Sequence, residues 1–164
     1  MTDMTNAGLS PEKRLWLNAE EHVEKLTSLF RERKGHFYVQ GSTGTGKSVV
    51  GRELAARLNG DYFSCELLTS DEYNAGLKEI MARLEVSDRP VIVLDGFFPS
   101  VAEKTMSHLL GKLRKKGLSL FVFSQEPLTE GGPDAYLLTR EFNKIAELRY
   151  DRQSGSPVTL SLVQ

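Results

Sequence analysis

Apolar positions along this chain change their spacing in a regular alternation, and the alternation predicts the elements. Leu15, Ala19, Val23, Leu26 and Phe30 recur at helical spacing, predicting a helix over residues 10–33. Ser10 and Pro11 suit its cap and first position, and Gly35 ends it. A short strand, His36-Phe37-Tyr38-Val39-Gln40, is followed by a Gly-rich loop and a helix over residues 49–58. Residues 61–66 read as a second strand, and Ser70-Asp71-Glu72 opens a helix apolar at Leu77, Ile80, Met81 and Leu84. Pro90-Val91-Ile92-Val93-Leu94-Asp95 is apolar on both faces, the mark of a central strand in a parallel sheet. A helix over residues 101–116, closed by Gly117, leads to another buried strand over residues 118–124.

The remainder has a different pattern. Gly131-Gly132-Pro133 marks residues 126–134 as a mobile loop. Alternation over residues 145–150 and 158–163, separated by Ser154-Gly155-Ser156-Pro157, predicts a β-hairpin. Four βα units closed by a C-terminal β-hairpin predict an α/β fold, a three-layer sandwich with a mainly parallel central sheet. The expected organisation is a disordered tail at residues 1–9, an N-terminal helix at 10–35 and one domain at 36–164.

Composition narrows the class. The chain has 164 residues, 40% hydrophobic and 26% charged, with a formal net charge of −1. That is the make-up of one globular domain, not of a protein coated with cations to bind any polyanion. The single cysteine, Cys65, cannot form an intrachain disulfide. No apolar run approaches a transmembrane helix, and the first residues lack a signal-peptide pattern, so a cytoplasmic setting without membrane insertion is expected.

The loop after the first strand carries the chemistry. Gly41-Ser42-Thr43-Gly44-Thr45-Gly46-Lys47-Ser48 is a complete G-x-x-x-x-G-K-[ST] string. Glycines allow backbone N–H groups to converge on a triphosphate, and the following helix offers its positive end to the same anion. Residues Gly41 to Val49 are the expected ATP-binding segment. Lys47 suits the β- and γ-phosphates, and Ser48 suits Mg²⁺. Asp95, ending the central apolar strand, is expected to hold the magnesium's water shell, as a Walker B aspartate does; read without the loop it is a strand-ending Asp-Gly turn. The next residue is Gly96, not the glutamate that often activates water, so Glu66 at the end of the second strand is the expected catalytic carboxylate. Gln125, ending the fourth strand, suits a γ-phosphate sensor or a plain strand end. Lys112, Arg114, Lys115 and Lys116 fall in a helix's last turns, where cations complement the dipole, as do Arg31, Arg33 and Lys34. His22, His36 and His108 show no metal-ligand spacing.

Together the phosphate loop, the second-strand Phe63-Ser64-Cys65-Glu66, Asp95 without a following Glu, Ser124-Gln125 and the terminal hairpin resemble the RecA/DnaB/KaiC superfamily of P-loop NTPases. The likeness covers residues 36–163. It implies a Mg²⁺-dependent ATPase acting as a motor or switch, in a homo-oligomeric ring or filament, with a nucleic acid or protein partner. It also implies that Arg152 in Tyr150-Asp151-Arg152-Gln153 reaches a neighbour's γ-phosphate, with Arg149 second. The family's first basic position is Tyr150 here. Gly46-Lys47-Ser48-Val49-Val50-Gly51-Arg52 also resembles small-molecule kinases of the shikimate-kinase type, although their acceptor-binding acidic pair and arginine lid are missing. Arg114-Lys115-Lys116-Gly117-Leu118 with Ser124-Gln125 is similar to conjugation and DNA-translocase ATPases. A nucleotide-binding adaptor that hydrolyses poorly is a further reading.

Overall fold

A computed structural model describes residues 18–65, 70–84, 89–98, 103–128, 139–150 and 158–163. Its elements run in the order α1 (Ala19–Glu32), β1 (Phe37–Gly41), α2 (Lys47–Arg57), β2 (Asp61–Ser64), α3 (Ser70–Leu84), β3 (Val91–Asp95), α4 (Glu103–Lys116), β4 (Ser119–Ser124), β5 (Lys144–Arg149) and β6 (Thr159–Leu162). The expected tail at residues 1–9, the start of the first helix, most of the loop at 126–134 and the hairpin turn lie outside the described residues.

All six strands form one sheet in the order β2-β3-β4-β1-β5-β6. Every neighbouring pair is parallel except β5–β6, which is the expected antiparallel hairpin. β4 inserts between β1 and β3, with Phe37 opposite Phe121 and Asp95 opposite Phe123. The carboxyl ends of β1, β3 and β4 therefore share one edge, the edge where open α/β sheets take ligands.

Strand periodicity sorts the core into two layers. Val39, Val93, Phe121 and Phe123 face α1 and α2, meeting Val23, Leu26 and Phe30 and then Val50 and Leu54. Tyr38, Ile92, Leu94 and Val122 face the other way, against Ile80 of α3 and Met106, Leu109 and Leu113 of α4. β3 and β4 are buried throughout, which explains why their sequences are apolar on both faces. Phe121 stacks on Phe37 with ring centroids 4.7 Å apart, and Phe30 closes on the same ring at 6.1 Å. Gly51 lets α2 approach this layer, since a Cβ there would meet Val93 Cγ1 at 3.4 Å and the Phe123 ring at 3.5 Å. Among the described residues, no helix is long and apolar enough to cross a membrane.

His36 fastens the opposite edge of the sheet. Its N–H donates to Asn143 Oδ1 at 2.9 Å, and its Nδ1 accepts the Leu120 N–H at 3.2 Å. Burial, then the nearby Arg114 charge, lower its pKa from 6.5 to about 4. The imidazole is thus neutral in the fold, while the unfolded chain takes up a proton once the pH falls below 6.5. Stability carried by His36 is complete above that value and is lost between pH 6.5 and about 4. The expected loss is about 3 kcal/mol. Urea unfolding of the parent and of His36→Asn, whose amide oxygen can accept the same N–H, should diverge over this window. Parallel pH profiles would remove His36 as the cause.

Candidate functional site

The phosphate-loop residues fold as a tight concave turn. Gly44 and Gly46 adopt left-handed backbone, φ 88° and 89°, which a side chain would strain. Gly46 caps α2, and its carbonyl accepts the Val50 N–H at 3.0 Å. The Ser42 carbonyl gathers three donors: the Thr45 N–H at 3.4 Å, the Thr45 hydroxyl at 2.8 Å and Lys47 Nζ at 2.8 Å. Thr45 and Lys47 are buried, and Ser42, Thr43 and Gly44 are exposed. Gly41 has no room for a side chain, because a Cβ would sit 2.8 Å from Thr45 Oγ1 and 3.0 Å from the Leu148 carbonyl oxygen. Lys47 and Ser48 lie in the first turn of α2, at the positive end of its dipole, and half-buried Val49 follows.

Asp95 ends β3 two residues after Val93, so strand alternation turns it toward the α2 side of the sheet. It is 1% exposed. Its Oδ2 accepts the Tyr62 hydroxyl, while its Oδ1 is buried with no hydrogen-bond partner among the described residues. A buried carboxylate oxygen in that state requires a donor, and a magnesium-bound water is a donor of the right kind. Among the described residues no group of three or more His, Cys, Asp or Glu side chains could hold a metal alone. The donors fit a hard cation held by Ser48 and nucleotide oxygens, with Asp95 behind its water shell.

Tyr62 and Arg52 are residues that sequence reasoning missed. The Arg52 guanidinium of α2 lies 5.4 Å from the centre of the Tyr62 ring, tying the helix to the tyrosine that holds Asp95. Burial, then the bond to Asp95, keeps the Tyr62 phenol well above its ordinary range, so it remains a donor. The available signal was strand parity: Tyr62 stands opposite Val93 and so shares a face with Asp95. Tyr62→Phe removes the donor from Asp95 Oδ2. It is expected to lower unfolding free energy at neutral pH by about 1–3 kcal/mol, read by urea denaturation. An unchanged midpoint would mean that the bond contributes nothing.

The other expected residues separate. Gln125 is exposed just beyond β4, beside the loop and Asp95 in register, because Ser124 pairs with Gln40 and Phe123 with Asp95. Its turn is fixed on both sides: the Ser124 hydroxyl accepts the Glu126 N–H, and the Tyr38 hydroxyl donates to the Glu126 carbonyl at 2.6 Å. Arg149 is exposed at the end of β5, one residue beyond Leu148, the partner of Gly41. Glu66 and Arg152 lie outside the described residues. Cys65, which precedes Glu66, does reach this edge, where its N–H donates to the Asp95 carbonyl at 2.7 Å. Burial raises the Cys65 thiol to about 11, so it is no nucleophile at neutral pH. The basic run of α4 sits in its last turn as expected, with Arg114 paired to Glu141.

This combination of sheet order, phosphate loop and strand-end aspartate is a P-loop NTPase fold. No protein-family model matches the sequence, and no curated protein matches it. Solved structures do. The RuvB Holliday junction branch migration motor of Thermotoga maritima superposes with a TM-score of 0.56 at 14% identity, over 84% of this chain and 46% of that one. A DNA replication initiation factor matches at 0.54 and 14% identity, over 92% of this chain and 50% of that one. A putative primosome component from Streptococcus pyogenes serotype M3 matches at 0.50 and 13% identity, over 89% of this chain and 85% of that one. The chain thus spans about half the length of the first two. At these identities the likeness is one of fold. It supports the P-loop NTPase part of the resemblance and does not single out the RecA/DnaB/KaiC branch.

Proposed function

We propose that this chain binds and hydrolyses ATP with Mg²⁺ and works as a motor or switch, assembled with further copies of itself. The observation that carries the reading is the pairing of a formed phosphate loop with the buried Asp95 carboxylate on one sheet edge, one of its oxygens left for a donor. In this reading the loop from Gly41 to Val49 receives the phosphates, Lys47 gives the β- and γ-phosphates a cation, and Ser48 ligates the metal. Magnesium, when bound, would neutralise charge on the phosphates. Asp95 would accept hydrogen bonds from the metal's water shell, and Tyr62 would hold it in place. Gln125 is the proposed sensor that passes contact with a terminal phosphate to the turn after β4. Glu66 is the proposed water-activating carboxylate.

The three solved structures above bear the names of a branch migration motor, a replication initiation factor and a primosome component, which favours a motor or switch with a nucleic acid or protein partner. The finer RecA-type assignment and the role of Arg152, with Arg149 second, as a cation lent to a neighbouring subunit rest on the sequence resemblance. Arg149 follows Leu148, the register partner of Gly41.

Turnover measured per chain over a dilution series tests the whole reading. Mg²⁺-dependent hydrolysis that falls on dilution is expected, since a cation lent by a partner makes activity depend on assembly. No Mg·ATP binding by calorimetry would overturn the nucleotide reading. Turnover that stays flat to the lowest measurable concentration would overturn the assembly and leave a monomeric enzyme.

A further inference from the structure

Three short segments, those leading into β1, β4 and β5, form the middle of the sheet edge opposite the phosphate loop and are stitched together by the fold; farther along the same edge Arg89 pairs with Asp61 at 3.2 Å. The Gly35 N–H donates to Ser119 Oγ at 3.2 Å, His36 and Asn143 exchange bonds at 2.9 and 2.7 Å, and the Leu120 N–H meets His36 Nδ1. These joints bring Arg31-Glu32-Arg33-Lys34, Lys112-Leu113-Arg114-Lys115-Lys116 and Arg140-Glu141-Phe142-Asn143-Lys144 to one place. The three strings hold nine cations and two acids, whereas the whole chain has 21 cations and 22 acids. The rest of the molecule is therefore strongly acidic, and the cationic excess is concentrated here.

Helix dipoles account for only a fraction of it. The C-termini of α1 and α4 each present about half a negative charge. At α4 the end carbonyls are also already engaged, since Gly117, with φ 70°, donates to the Arg114 carbonyl at 3.1 Å and Leu118 to Leu113 at 2.9 Å. Glu141 pairs with Arg114. Between the segments lies a recess of about 290 Å³ whose wall includes Arg33, Lys34, Arg114, Ser119 and Asn143, together with one carboxylate, Glu141, on Arg114. Among the described residues no Phe, Tyr or Trp lines it, and the His36 imidazole is committed to Leu120, so these residues offer no platform for stacking an unpaired base.

We propose that this face docks the sugar-phosphate backbone of a duplex nucleic acid, with a phosphate seated in the Arg33–Lys34–Arg114 recess. Strands of five to six residues separate it from the phosphate loop, roughly 17–20 Å away, so the duplex and a nucleotide do not compete for space. The inference rests on this face alone and not on the nucleotide reading.

The test is fluorescence anisotropy of the full chain with a labelled DNA duplex of about two helical turns, in a salt series without nucleotide. Roughly four phosphate contacts predict a slope of log affinity against log salt near −4. Lys34→Glu and Lys115→Glu, each alone, should weaken binding by about tenfold and flatten the slope by about one. Both positions are exposed, so thermal unfolding midpoints should stay within a few degrees of the parent. Lys78→Glu makes the same change in net charge on an exposed position of α3 and should leave affinity and slope unchanged. The proposal is overturned if the parent shows no salt-dependent binding, if all three variants behave alike, or if a single strand of equal length binds more tightly than the duplex.

Discussion

Lys47→Ala is expected to weaken ATP binding by about 10²-fold, measured by titration calorimetry with Mg²⁺ present. The estimate follows from what is removed. The ammonium would lend two or more charge-assisted hydrogen bonds to the phosphates, each contributing about 1.5–3 kcal/mol, and two decades of affinity correspond to about 2.8 kcal/mol. The substitution should spare the fold. Lys47 Nζ bonds to the Ser42 carbonyl, which keeps the Thr45 N–H and hydroxyl as donors when the lysine is shortened. Calorimetric affinity equal to the parent's would show that the loop holds no phosphate and would remove the basis of the proposed function.

Asp95→Asn is the second large effect, and it separates metal from nucleotide. Asparagine keeps an oxygen for the Tyr62 hydroxyl, so β2 and β3 stay joined, but it replaces the negative charge that would hold the magnesium's waters. The magnesium concentration for half-maximal turnover should rise by about 10–100-fold, the scale seen when a group behind a metal's ligands is lost. ATP binding without metal should change little. A magnesium dependence identical to the parent's would return Asp95 to the role of a strand-ending residue.

Sequence reading succeeded where one residue's chemistry is enough to force its setting. Val91 to Leu94 admit only a strand buried on both faces, and Gly44 and Gly46 ahead of Lys47 mark a tight turn in left-handed backbone between strand and helix. It also placed Asp95 and Gln125 on the correct edge, because each ends an apolar run. What it could not see depends on strands distant in the chain. The insertion of β4 between β1 and β3 is what puts Gln125 beside Asp95 and the loop, and no local pattern near residue 125 encodes that neighbour. Tyr62 looked like an ordinary aromatic strand residue until the β2–β3 register gave it a carboxylate to hold. His36, read only as lacking metal spacing, turned out to join β1 to β4 and to the segment leading into β5. Of the residues behind the RecA-type resemblance, Glu66 and Asp151 to Gly155 lie outside the described part of the chain.

The crowding at Gly41 has a mechanical consequence. Leu148 of β5 stands directly behind the phosphate loop, Leu160 of β6 is the partner of Leu148, and Lys25 of α1 grips the Leu160 carbonyl at 2.8 Å while Asn18 grips that of Val158 at 3.2 Å. Helix α1 is therefore tied to the strand behind the loop through side-chain bonds to carbonyls in and just before β6 and through the β5–β6 ladder. A shift of α1 would bear first on β6 and β5, the strands packed nearest Gly41.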